Sequence, residues 1–188
     1  MLPQAGVNSF DTIMVAGNAA AANADGLVYD VMAAIYTACS SFVGLNYGAG
    51  EYKRVRKCYL ICLGFSFGIG MAMGLSLVAF GPAFLGLFAT DAAVIEAGMK
   101  RLHIMGISYA FSAFMDNAIA GCRGLGKSFM PMVIVISGSC VFRILWVLTV
   151  FAYFKTIESL YLVYFFSWSI TALFENWYFI RCYRHITK

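Results

Sequence analysis

Charged residues are scarce in this chain. Only 12% of its 188 residues are Asp, Glu, Lys or Arg, where a soluble domain carries about 25%. A globule of this size hides only about 70% of its surface. With 62% hydrophobic residues, it would be left with a large exposed apolar patch. The same composition excludes intrinsic disorder. Segments of alternating polarity are missing, which excludes a transmembrane barrel. No H-E-x-x-H, G-x-S-x-G or Walker A sequence occurs, so no catalytic constellation is legible and an enzyme is not expected. The run Gly124-Leu125-Gly126-Lys127 lacks the first glycine of a phosphate loop and is expected to be a tight turn. Cys58 and Cys62 lie four residues apart, but no His or further Cys completes a ligand set. They are expected to be packing residues. No basic segment follows Met1, so no signal peptide is expected. The net charge of +4 is dispersed among short segments, which excludes a nucleic-acid-binding face.

What remains is apolar and helical. Mean hydropathy is +0.80, and a membrane crossing needs about 20 residues at 1.5 Å rise. The expectation is an all-α integral membrane protein with about five transmembrane helices in a lipid bilayer. The spans are expected at about 15–47, 58–80, 92–122, 128–154 and 160–180. Residues 1–12 are too short to cross and are expected to be the end of a truncated helix and a turn. The segment Glu51–Lys57 is expected to be a basic connector, either a loop or a short interfacial helix. The second span holds two G-x-x-x-G spacings, at Gly64/Gly68 and Gly70/Gly74, which suit close helix packing. Gly81-Pro82 ends it, and Thr90 is expected to cap the third span.

The basic residues set an orientation. The 51–57 connector, the 123–127 turn and the tail alternate with the other connections and hold nine of the thirteen Lys and Arg. The positive-inside rule places them, with the C-terminal tail 184–188, in the cytoplasm of a multi-pass protein of the cell (plasma) membrane.

Ionisable residues inside spans are costly and are candidates for function. Asp25 and Asp30 lie in the first span, Asp116 in the third and Glu175 in the fifth, with Arg143 in the fourth. At 100° per residue, Asn18, Asp25, Tyr29, Met32 and Tyr36 share one face of the first span. Phenol rings and a thioether beside a carboxylate suit a lipophilic cation, and they also suit an ordinary helix interface. Asn23 and Asp30 share a second face, expected to pack against a neighbouring helix. In the third span, Met105, Tyr109, Ser112 and Asp116 form a similar stripe. Asp116 lies roughly 10 Å from the end of its helix at Arg123. There it can carry a proton or coordinate Na⁺, or serve as a hydrogen-bonded structural carboxylate. Depth alone allows Arg143 to pair with Asp25, and allows Glu175 to share a proton with Asp116.

The run Ala16-Gly17-Asn18, then Gly44-Leu45-Asn46-Tyr47-Gly48-Ala49-Gly50 with Lys53-Arg54, resembles the multidrug and toxic compound extrusion (MATE) family. So do Phe88-Ala89-Thr90-Asp91, Arg123-Gly124-Leu125-Gly126, Pro131 and Arg143, in order and spacing over nearly the whole chain. The similarity is to the C-terminal lobe, from the end of helix 7 through helix 12, over residues 13–183. The resemblance implies one lobe of a twelve-helix, two-lobe antiporter. Such antiporters extrude small organic cations and other drugs by alternating access, in exchange for H⁺ or Na⁺ as coupling ion and with no further cofactor. It also implies a missing N-terminal lobe, or a second copy, as partner. The helix 10 acidic residue of the Na⁺-coupled branch aligns with Ser112, one turn from Asp116, which leaves the coupling ion open. Two other readings stand beside this one: a relative that flips lipid-linked saccharides, and a non-transporting membrane remnant.

Overall fold

The computed structural model describes Val7 and residues 11–187. The truncated helix end expected over residues 1–12 therefore lies mostly outside the described residues.

From Thr12 to Ile186 the described residues form six helices. Helix α1 spans Thr12–Gly48, and its first turn is held by Asp11, whose carboxylate accepts from the Met14 amide at 2.8 Å. Its 37 residues extend about 55 Å, longer than the roughly 30 Å hydrocarbon layer. Gly50, at a φ of 73°, turns the chain where a side chain would be strained. Helix α2 spans Tyr52–Ala79. The basic segment expected as a connector is its first two turns, because Val55 is fully buried there and anchors them to the core. Helix α3 is a short piece, Gly81–Leu85, with Pro82 in its first turn, where a missing N–H costs little.

Helix α4 spans Ala92–Gly124. Its cap is Asp91, which accepts from the Ala93 amide at 2.9 Å; the expected cap, Thr90, is one residue early. Helix α5 runs over Phe129–Phe154 and winds as a π-helix at Ile136–Val141 and Val147–Phe151. Lys155 closes it in the left-handed region, at a φ of 50°. Helix α6 spans Ile157–Ile186, capped by Thr156, whose hydroxyl accepts from the Ser159 amide at 3.3 Å.

Helices α1, α2, α5 and α6 are long and apolar enough to cross a membrane. The third expected span, α4, is 33 residues long but more polar than the other four, carrying Glu96, Lys100, Arg101 and Asp116. Its position explains this. Helix α4 packs against α1, α2 and α6, so most of its surface meets protein and has no need to match lipid. Small residues allow the approach: Gly74 of α2 meets the Gly106 backbone of α4 so closely that a Cβ at Gly74 would collide with the Gly106 carbonyl. Gly64 and Gly68, the other G-x-x-x-G pair, face open space. Around α4 the buried residues form one cluster with α1 and α2, including Ala24, Val28, Met32 and Met105, and a second nearer Gly124 around Cys39, Tyr59 and Phe179.

Helix α5 stands apart. The most apolar stretch of it contains no buried residue, and it is held to α6. Ser167 of α6 donates to the Gly138 carbonyl in the first π turn at 3.0 Å and accepts from Arg143 Nε at 3.2 Å. Trp146 Nε1 donates to the Ser159 carbonyl at 2.8 Å.

Candidate functional site

The polar stripes of α1 and α4 face each other across a cavity of about 360 Å³. Helix α1 contributes Asp25, Tyr29, Met32 and Tyr36; α4 contributes Tyr109, Ser112 and Asp116; α6 closes the space with Tyr164 and Trp168. A second cavity of about 670 Å³ continues toward Arg123 and Ser128, between α1, α4 and the start of α5. Tyr29, Tyr36, Met115 and Asp116 line both. Eight of the nine residues singled out on the two stripes, Met105 among them, thus come together at one place. The ninth, Asn18, lies beyond the cavity and is buried.

The electrostatics depend on a residue the stripes omit. Arg101 of α4 forms an ion pair with Asp25 and donates a further hydrogen bond to Asn18 Oδ1. The Tyr109 hydroxyl donates to the other Asp25 oxygen. The Arg101 guanidinium also lies 5.7 Å and 5.8 Å from the ring centres of Tyr161 and Tyr164, within cation–π range. Asp25 is therefore neutralised by a cation and held by a phenol. Arg101 sits four residues before Met105 on the same helical face, so extending the α4 stripe by one turn reaches it.

Three expected charge partners are placed otherwise. Arg143 does not pair with Asp25, because Arg101 on the adjacent helix occupies that position. Arg143 instead donates to Ser167, with its guanidinium 4.6 Å from the Tyr164 ring centre. Asp30 and Asn23 are exposed and are not buried against a neighbouring helix among the described residues. The face of α1 that packs is the small-residue face of Ala20, Ala21, Ala24 and Val28, which turns Asp30 away. Glu175 shares no proton with Asp116, since neither of its oxygens has a hydrogen-bond partner. It faces the core near Tyr59, whereas Asp116 faces the cavities.

Asp116 is thus the carboxylate that borders both cavities, and it makes no ion pair among the described residues. Tyr36 and Ser112 lie beside it. The Ser112 hydroxyl is committed to the Tyr109 carbonyl at 2.8 Å. Such a wall offers aromatic faces, thioethers and one carboxyl group without a contact ion pair among the described residues, with Arg123 further along the larger cavity. Among the described residues no three His, Cys, Asp or Glu side chains gather in a way that would hold a metal.

The model of the MatE family matches residues 2–149, well over half of the chain. The chain belongs to the MatE family. A curated relative, the probable multidrug resistance protein NorM of Chromobacterium violaceum, is 28% identical over 134 residues, covering 67% of this chain and 27% of the relative. Among solved structures, a MOP superfamily transporter from Pyrococcus furiosus matches 100% of this chain and 42% of its own length, at 16% identity and a TM-score of 0.89. A multidrug resistance MATE family transporter in its outward-facing conformation matches 100% of this chain and 42% of its own, at 17% identity and a TM-score of 0.88. A multidrug resistance MATE family transporter in an inward-facing conformation matches 89% of this chain and 39% of its own, at 15% identity and a TM-score of 0.80. This MatE chain therefore shares the fold of these transporters and spans 27% to 42% of the length of the relatives it matches. Membership and apolar helices together make it a multi-pass membrane protein.

Proposed function

We propose that this chain is the C-terminal lobe of a cation-coupled efflux antiporter, over residues 13–183, and that its cavities take small organic cations. The observation that carries the reading is the position of Asp116 on the wall shared by both cavities, without an ion-pair partner among the described residues. With Asp25 committed to Arg101, Asp116 supplies the charge that a lipophilic cation seeks, while Tyr29, Tyr36 and Trp168 supply aromatic faces. The coupling ion, H⁺ or Na⁺, competes for the same carboxylate. A cation and a coupling ion that exclude one another at one acid are the minimum device for exchange. Alternating access then requires a second lobe, or a second copy, against which this one rocks. The family likeness supports this, since one relative is described as a multidrug resistance protein and transporters of the same fold are known in inward-facing and outward-facing conformations. The expected orientation puts the Gly126 turn and the C-terminus in the cytoplasm.

Binding of radiolabelled tetraphenylphosphonium to the purified chain tests the reading. The expected result is saturable binding that Asp116→Asn weakens tenfold or more and that Na⁺ or lowered pH displaces in the unsubstituted chain. Equal binding by the unsubstituted chain and Asp116→Asn overturns the assignment of Asp116.

A further inference from the structure

The core between α2, α4 and α6 encloses a carboxyl group that lines neither cavity. Glu175 has no exposed surface, and neither of its oxygens meets a hydrogen-bond partner among the described residues. Its surroundings do not compensate a charge. Helix α2 presents Tyr59, whose hydroxyl is committed to Asn176 Oδ1 at 2.6 Å. Helix α4 presents Asp116, Cys122 and Arg123, and α6 itself presents Tyr178. Asn176, the next residue, directs its amide to the Phe114 and Ala172 carbonyls and so gives Glu175 nothing. Arg123 is the cation of this set; it is exposed at the end of α4 and forms no ion pair with Glu175. Asp116 adds charge of the same sign. An ionised carboxylate here loses its water and finds no donor in return, which is the costliest form in which to bury an acid. The neutral acid carries no charge to desolvate.

We propose that Glu175 is a proton-binding site of this lobe, separate from the cavity carboxylates, which keeps its proton while α6 is packed on α2 and α4. The exchange is a simple dissociation: the carboxylic acid gives its proton to water admitted when these helices part, and the carboxylate left behind faces Arg123. The buried proton is thereby linked to helix packing rather than to cargo. This inference does not rest on the transport reading, because the proton can be observed directly in a chain that transports nothing.

Infrared spectroscopy of the full chain in lipid vesicles tests it. The chain has four glutamates, and Glu51, Glu96 and Glu158 are exposed. The expected result at neutral pH is a protonated-carboxyl C=O stretch that moves on ¹³C-glutamate labelling and responds slowly to D₂O. That band is lost in Glu175→Gln and retained in Asp116→Asn and Asp25→Asn. The unsubstituted, labelled chain is decisive alone, so a variant that fails to fold does not blunt the test. Absence of a protonated glutamic acid at neutral pH, its immediate exchange in D₂O, or its survival in Glu175→Gln overturns the proposal.

Discussion

The Asp25–Arg101 pair offers a quantitative test of how α1 and α4 are joined. The Arg101 side chain is 8% exposed and that of Asp25 28%, so breaking the pair strands the arginine more severely than the aspartate. Asp25→Asn keeps one acceptor oxygen, available to Arg101, but turns an amide N–H toward the Tyr109 hydroxyl and removes the counter-charge of a buried cation. Breaking a buried pair from one side costs about 3–5 kcal/mol, and the retained amide oxygen puts this change near about 3. Arg101→Met leaves Asp25 partly solvated and still bonded to Tyr109, at a cost of about 2 kcal/mol. The double variant has no stranded charge and loses chiefly the Asn18 hydrogen bond and some packing, again about 2 kcal/mol. The expected coupling energy is therefore about 3 kcal/mol. Equilibrium unfolding in detergent micelles, followed by tryptophan fluorescence, reads all four corners of the cycle. If the double variant loses the sum of the two single losses, the two side chains do not form a buried pair and the electrostatics described for the cavity are wrong.

Gly74→Ala should destabilise the chain by about 1–3 kcal/mol through overpacking against Gly106, whereas Gly64→Ala should gain about 0.5–1 kcal/mol by helix propensity; equal effects in the same unfolding assay would contradict the α2–α4 contact. Ser167→Ala removes the link between Arg143 and the Gly138 carbonyl, costing about 1 kcal/mol. It should speed amide exchange selectively over residues 136–154, and unchanged exchange there would show that α5 is held by other means. With the six native cysteines replaced by alanine, Lys127→Cys should react with an impermeant maleimide only from the cytoplasmic side and Lys155→Cys only from outside. The reverse pattern would invert the orientation.

The stripes on α1 and α4 were legible in the sequence because helical period alone decides which residues share a face. What they face was not, since that depends on how α6 and α5 close the space. Arg101 escaped because a charge two turns into a span reads as a flanking residue; its register with Met105 was the available signal. The polarity of α4 lowered its hydropathy without preventing a central position, because protein surrounds it. Two G-x-x-x-G spacings were equally visible, yet only the Gly70/Gly74 face lies against a neighbour. Composition cannot rank them, as the choice is made by the opposing backbone. The same limit hid the fate of Asp30 and Glu175: one turned outward and one sealed inward, though both sit in apolar helices.

The direct meeting of the α2 and α4 backbones at Gly74 and Gly106 has a mechanical consequence. No cushion of side chains lies between these two helices at that point, and a close-packed contact of this kind has little slack. A displacement of α4 at Gly106 therefore meets the α2 backbone directly. Helix α5, whose apolar surface faces outward and whose hold is a few polar links to α6, answers instead to the thickness and lateral pressure of the surrounding lipid. The bundle is thus built as a stiff frame with one compliant wall, and the membrane pushes on the compliant side.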